Sequence, residues 1–196
     1  MRAFLQASKN DAIKRAAMKR LLPRVFAPLL ALFALAWSGT AMAAVEIHFH
    51  SFNGSLFGRY PHTFIVLDGT LEADGRVIKE NYGFSAKSST AAILSGWTEH
   101  MVYVEKDKYI RKTNRHFSMT LTDEQYQRIV EEVRKWKDEP GERYSLGERN
   151  CIHFVGEMAK ILGLKVEFPK NMLRRPKKWL NHITGLNPEL GASLIK

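Results

Sequence analysis

The sequence predicts an α+β fold, an antiparallel sheet packed against helices. Two patterns carry that prediction. Segments that alternate apolar and polar residues crowd the stretch from 45 to 121, and segments with helical spacing follow only after Thr122. Strands grouped ahead of helices leave none of the strand–helix–strand alternation that a parallel sheet requires.

Each element has a local reason. Val45–Phe52 has the two-residue period of a half-buried strand. Residues 52–61 are rich in Gly, Asn and Pro and predict a loop. Residues 62–67 (His-Thr-Phe-Ile-Val-Leu) are β-branched and aromatic, as a central strand should be. Asp68-Gly69 and Asp74-Gly75 are turn signals, and 76–84 resumes an extended pattern that pairs antiparallel with the strand before it. Residues 85–94 are small and polar and predict a short helix. Residues 98–106 and 116–121 alternate again, as strands. Thr122 and Gln125 form a capping box, in which each side chain satisfies the other's free backbone amide. Tyr126, Ile129, Val130, Val133 and Trp136 then recur at helical spacing, and Pro140-Gly141 ends the segment. A second helix is predicted over 150–162. Asn150 is its N-cap, Phe154, Val155, Met158, Ile161 and Leu162 are its buried stripe, and Gly163 lies just past its end. A short helix is predicted at 177–183, within a basic tail.

Residues 1–43 are expected to be a signal peptide rather than part of the fold. Lys14, Arg15, Lys19, Arg20 and Arg24 precede the apolar run 25–37, and Ala41 and Ala43 occupy the −3 and −1 positions of a cleavage site. Met18 begins a leader of ordinary length by itself. The apolar run is short against the roughly 20 residues that span a membrane. The remaining 44–196 suit one domain with a real core, in a periplasmic or secreted setting. The formal charge is +10 for the whole chain, but 44–196 carry 23 Lys and Arg against 19 Asp and Glu, a net of +4. A bulk-charge argument for nucleic acid therefore fails. The basicity that remains gathers at Lys170, Arg174, Arg175, Lys177 and Lys178. With Trp179 read as an exposed aromatic, that tail is a candidate contact for an anionic membrane surface.

Cys151 is the only cysteine in the sequence, in Arg-Asn-Cys-Ile-His-Phe-Val. An unpaired thiol in an oxidising compartment is buried packing, an intermolecular link or a reactive centre. If Asn150 caps the helix, Cys151 sits in the first turn. There the helix's partial positive charge and Arg149 favour a thiolate and predict a lowered pKa. A cysteine nucleophile needs a base held by a third polar group. His62, at the start of the strongest strand, is the candidate base. His153, two residues from Cys151 on a helix, faces another way and is expected to be structural. The orienting group would come from the next strand, where Glu80 and Asn81 fall on opposite faces. Asn81 is preferred, because it accepts from an imidazole N–H without adding charge. His48-x-His50 alone is too common to indicate a metal, and no phosphate-cradling Gly-rich loop occurs, so no cofactor or metal is expected.

A histidine-bearing strand followed some 90 residues later by Asn-Cys-Ile-His-Phe-Val at a helix start resembles the circularly permuted papain-like superfamily. That group includes NlpC-type, lecithin–retinol acyltransferase-like and PPPDE proteins, in which the histidine strand precedes the cysteine helix. The resemblance runs from about His62 to Leu164 and includes Tyr144 and Leu162-Gly163-Leu164. It implies Cys151 as nucleophile, His62 as base, a thioester intermediate and an oxyanion held by amides at the helix start. The third polar residue is often histidine in such proteins; here it is Glu80 or Asn81. The expected function is a thiol hydrolase cutting an amide bond, with cell-wall peptide (peptidoglycan) as substrate. Two alternatives stand beside it: a lipid or lipoprotein acyl hydrolase or transferase, and a non-catalytic binding module with a buried cysteine.

Overall fold

Six strands form one antiparallel sheet in the order β5-β1-β2-β3-β4-β6, and helices pack against it. A computed structural model describes residues 44–54, 60–87 and 96–196. The predicted signal segment 1–43, the middle of the 52–61 loop and most of the predicted short helix at 85–94 lie outside the described residues. The strands are β1 Val45–Phe52, β2 His62–Thr70, β3 Val77–Ala86, β4 Thr98–Tyr103, β5 Asn114–Leu121 and β6 Glu142–Tyr144. The helices are α1 Asp107–Ile110, α2 Asp123–Asp138, α3 Cys151–Ile161 and α4 Pro176–Leu186.

The alternation that predicts the strands also decides which face is buried. Ile47 and Phe49 of β1, Ile65 and Leu67 of β2, and Ile78 and Phe84 of β3 lie in one core with the helices. α2 brings Tyr126, Ile129, Val133 and Trp136 to it. α3 brings Phe154, Val155 and Met158, and α4 brings Trp179, Leu180 and Ile183. Each such side chain contributes roughly 1.5–3 kcal/mol by leaving water. Phe84 is a hub: its ring stacks on Phe154 (6.0 Å between centroids) and meets Trp136 edge-on at 4.8 Å.

β1 is buried on both faces, and its second face carries polar residues. His48 bonds Ser118 through Nδ1 at 2.7 Å, and His50 bonds Thr113 at 2.8 Å. Phe64 packs against His50 on this face, outside the main core.

Both helix starts match their predicted caps. Thr122 accepts from the Gln125 amide, and Gln125 returns the bond to the Thr122 amide. Three expectations are corrected. Asp68-Gly69 is not a turn; both residues continue β2, and the turn is at 71–75. At Gly69 the backbone has φ of +142°, and an added Cβ would lie 2.1 Å from the Ala44 carbonyl, so glycine there lets the β1 start come close. Ser85 and Ala86 extend β3 instead of opening a helix. Trp179 is fully buried, and its indole N–H donates to the Glu167 carbonyl at 2.9 Å. It therefore offers nothing to a membrane surface, whereas Arg174, Arg175 and Lys178 remain exposed. No helix among the described residues is long and apolar enough to cross a membrane.

Candidate functional site around Cys151

Cys151 opens α3. Asn150 fixes that opening by accepting from the Ile152 amide at 2.8 Å, while its own amide donates to His153 Nδ1 at 3.2 Å. The Asn150 side chain also donates to the Leu146 and Leu173 carbonyls at 2.7 and 2.8 Å. One side chain thus ties the helix start to the chain on both sides of it. Upstream, Ser145 and Arg149 exchange two backbone bonds of 3.0 Å, which closes a tight loop immediately before the cap. The Arg149 guanidinium lies 3.8 Å from the Trp136 ring centroid and pairs with Glu139. Arg149 is therefore committed to α2 and does not serve as a counter-ion to the sulfur.

The backbone amides of Thr63, Ile152 and Cys151 itself lie near enough to the Cys151 sulfur to draw its pKa down. Thr63 is the informative one. It is the second residue of β2, directly after His62, so the helix start abuts the strand end that carries the candidate base. Burial nevertheless dominates. It pushes the thiol up to about 11, and the three nearby amides only partly oppose it. The predicted lowering is thus reversed, because a helix-end charge acts on a sulfur that water does not reach. Tyr144, at the end of β6, is close enough that its phenol is raised first by burial and then by Cys151.

His62 is buried on the other face of the sheet. Successive strand residues point to opposite faces. Thr63 and Ile65 follow the helix-bearing face, and His62 follows Phe64. The His62 ring lies between Phe52 (centroids 5.9 Å apart) and Tyr103 (5.2 Å). Its Nε2 would be 2.9 Å from a Cβ added at Gly83, and the Tyr103 ring 2.8 Å from it. Gly83 is therefore the floor on which the imidazole rests. The sulfur and the imidazole meet the same end of β2 from its two faces, flanking the Thr63 amide. Replacing Gly83 by alanine should destabilise the protein by about 1–3 kcal/mol through overpacking and shift the His62 ring resonances. A melting curve and a histidine NMR spectrum check this; a variant with unchanged His62 shifts would contradict the placement.

Neither predicted orienting residue reaches His62. Asn81 stands opposite Val66, four residues along β2, or about 13 Å at 3.3 Å per residue. Its amide is used instead to hold Glu105, accepting from the Glu105 N–H at 2.5 Å and donating to the Glu105 carbonyl at 3.0 Å. Glu80 stands opposite Leu67 and accepts from the Tyr82 and Tyr126 hydroxyls at 3.0 and 3.1 Å. His153 is structural, as its spacing predicts: it completes the cap and stacks on Phe168 at 4.8 Å.

Sequence reading missed a second buried pair. His116 occupies a bulge in β5, between the residues that face Phe49 and His50, and its Nε2 lies 2.7 Å from the Ser51 hydroxyl. Ser51 is the β1 partner of Thr63, so this pair lies one strand beyond the Thr63 amide. No periodic signal marks a bulge. Among the described residues no group of His, Cys, Asp and Glu is arranged to hold a metal. Comparison with known proteins gives no family match, no similar curated protein and no similar solved structure.

Proposed function

We propose that this protein is a thiol hydrolase with Cys151 as nucleophile and His62 as base, built on a permuted papain-like variant of its α+β fold. The observation that carries the reading is the sulfur near the Thr63 amide, one residue along β2 from His62, at the first turn of a capped helix. In the reaction, the thiol proton passes to the His62 imidazole as sulfur bonds the substrate carbonyl carbon. The imidazolium then protonates the leaving nitrogen as the carbon–nitrogen bond breaks, leaving a thioester. Water, deprotonated by His62, releases the acid and restores the thiol. The oxyanion would need a backbone donor near the start of α3, where the Ile152 amide is already taken by the Asn150 side chain. A thiol raised to about 11 stays neutral at rest, so proton transfer accompanies attack, and the reading requires the His62 side chain to leave its resting place between Phe52 and Tyr103 and reach the sulfur.

The proposed substrate is cell-wall peptide, met outside the cytoplasm after a signal peptide at 1–43 is removed. Purified chain incubated with isolated peptidoglycan should release peptide fragments detectable by mass spectrometry, and Cys151→Ala should release none. Release of fatty acid from phospholipid vesicles in place of peptide would move the substrate to a lipid acyl group. Burial of the thiol favours a second reading, a binding module in which Cys151 is core packing. Under that reading neither substrate is turned over and the thiol stays unreactive in the folded state.

A further inference from the structure

We propose that the cavity between α2 and β3 binds a small dianion that also carries a hydroxyl donor. This cavity, of about 240 Å3, is separate from the Cys151 region and plays no part in the hydrolase reading. Its polar floor is Glu80, whose carboxylate accepts from Tyr82 at 3.0 Å and from Tyr126 at 3.1 Å. Burial, followed by the Glu80 charge, raises both phenols, so they remain protonated donors to that carboxylate. A carboxylate has about four acceptor positions, so two phenols leave room for a donor from a ligand. Val130 and Val133 supply an apolar wall.

Arg76, Arg134 and Lys137 also line it, together with the neutral Gln127. Three cations against one carboxylate give this small space a net charge of +2. Among the described residues no ion pair engages Arg134 or Lys137, and Arg76 meets only Asp74, at 3.8 Å with both side chains more than half exposed. Exposed contacts of that kind contribute little, so the cations are free to turn toward an incoming anion. The Arg76 guanidinium already lies 5.9 Å from the Tyr126 ring centroid, at the edge of the cavity. A dianion satisfies the guanidinium groups through paired N–H bonds, and a hydroxyl on the same molecule satisfies Glu80. A phosphate monoester and a dicarboxylate both offer this chemistry.

Calorimetric titration of the full chain with glycerol 3-phosphate and with malate tests the proposal, with glycerol as the neutral control. At least one dianion should bind at millimolar concentration, and which one binds identifies the anionic group. Glycerol should not bind. The double variant Arg134→Ala, Lys137→Ala changes only exposed side chains, and it should weaken binding by about tenfold or more, as expected for lost charged hydrogen bonds. Glu80→Gln should reduce the preference for glycerol 3-phosphate over inorganic phosphate. Absence of binding by both dianions, or an affinity that the double variant leaves unchanged, would overturn the proposal.

Discussion

Acidification from pH 7 to pH 5 is expected to remove about 4 kcal/mol of folding stability through His50 and His116 alone. Both are buried and neutral. Burial, then the charges of His48, Arg115 and His116, pushes His50 down to about 3. Burial pushes His116 down to about 4; the neighbouring Asn181 side chain opposes the shift, and Lys177 adds to it. In the unfolded chain both revert to about 6.5. The unfolded state therefore binds more protons below pH 6.5, and stability falls as the pH falls. Above 6.5 neither state is protonated and the loss disappears. The loss grows until the folded pKa values are reached, below pH 5. Urea unfolding at pH 7, 6 and 5 measures it. Ser51→Ala leaves His116 buried without its 2.7 Å partner, whereas His50→Gln should flatten the pH slope by about half. A slope that ignores both histidines would show that they take up protons in the folded state.

His62→Ala is expected to slow turnover by about 10²–10⁴, the usual contribution of a positioned general base. The effect should fall on kcat more than on KM, because the imidazole moves a proton and does not hold the bulk of the substrate. Asn81→Ala should behave differently. Its amide holds the Glu105 backbone about 13 Å along the strand from His62. The expected result is lower stability with a pH–rate profile like that of the parent protein. Equal loss of kcat in the two variants would place Asn81 back in the catalytic machinery.

The contrast between those two residues marks what the sequence reveals and what it hides. Strand alternation, the Thr122 and Asn150 caps and the apolar stripes of α2 and α3 are local signals, and each forms at the predicted position. Register is not local. His62 opens β2 and Asn81 lies midway along β3, and nothing in either segment says that Val66, not His62, faces Asn81. The ionisation of Cys151 is hidden for a related reason. The helix-end charge is legible from Asn150, but the burial that outweighs it comes from packing against β2. Trp179 follows the same rule: basic neighbours in sequence imply exposure, and the α4 stripe formed with Leu180 and Ile183 buries it. The His116–Ser51 pair needs a β-bulge, which has no signature in the residue pattern.

The central claim is that Cys151 is a nucleophile served by His62. Iodoacetamide alkylation of Cys151 in the folded chain, followed by mass spectrometry across pH, tests it most directly. The account predicts native-state labelling with a rate that rises with pH, and a markedly slower rate in His62→Ala but not in His153→Ala. Labelling that appears only on denaturation, or that proceeds identically in the His62 variant, would contradict it.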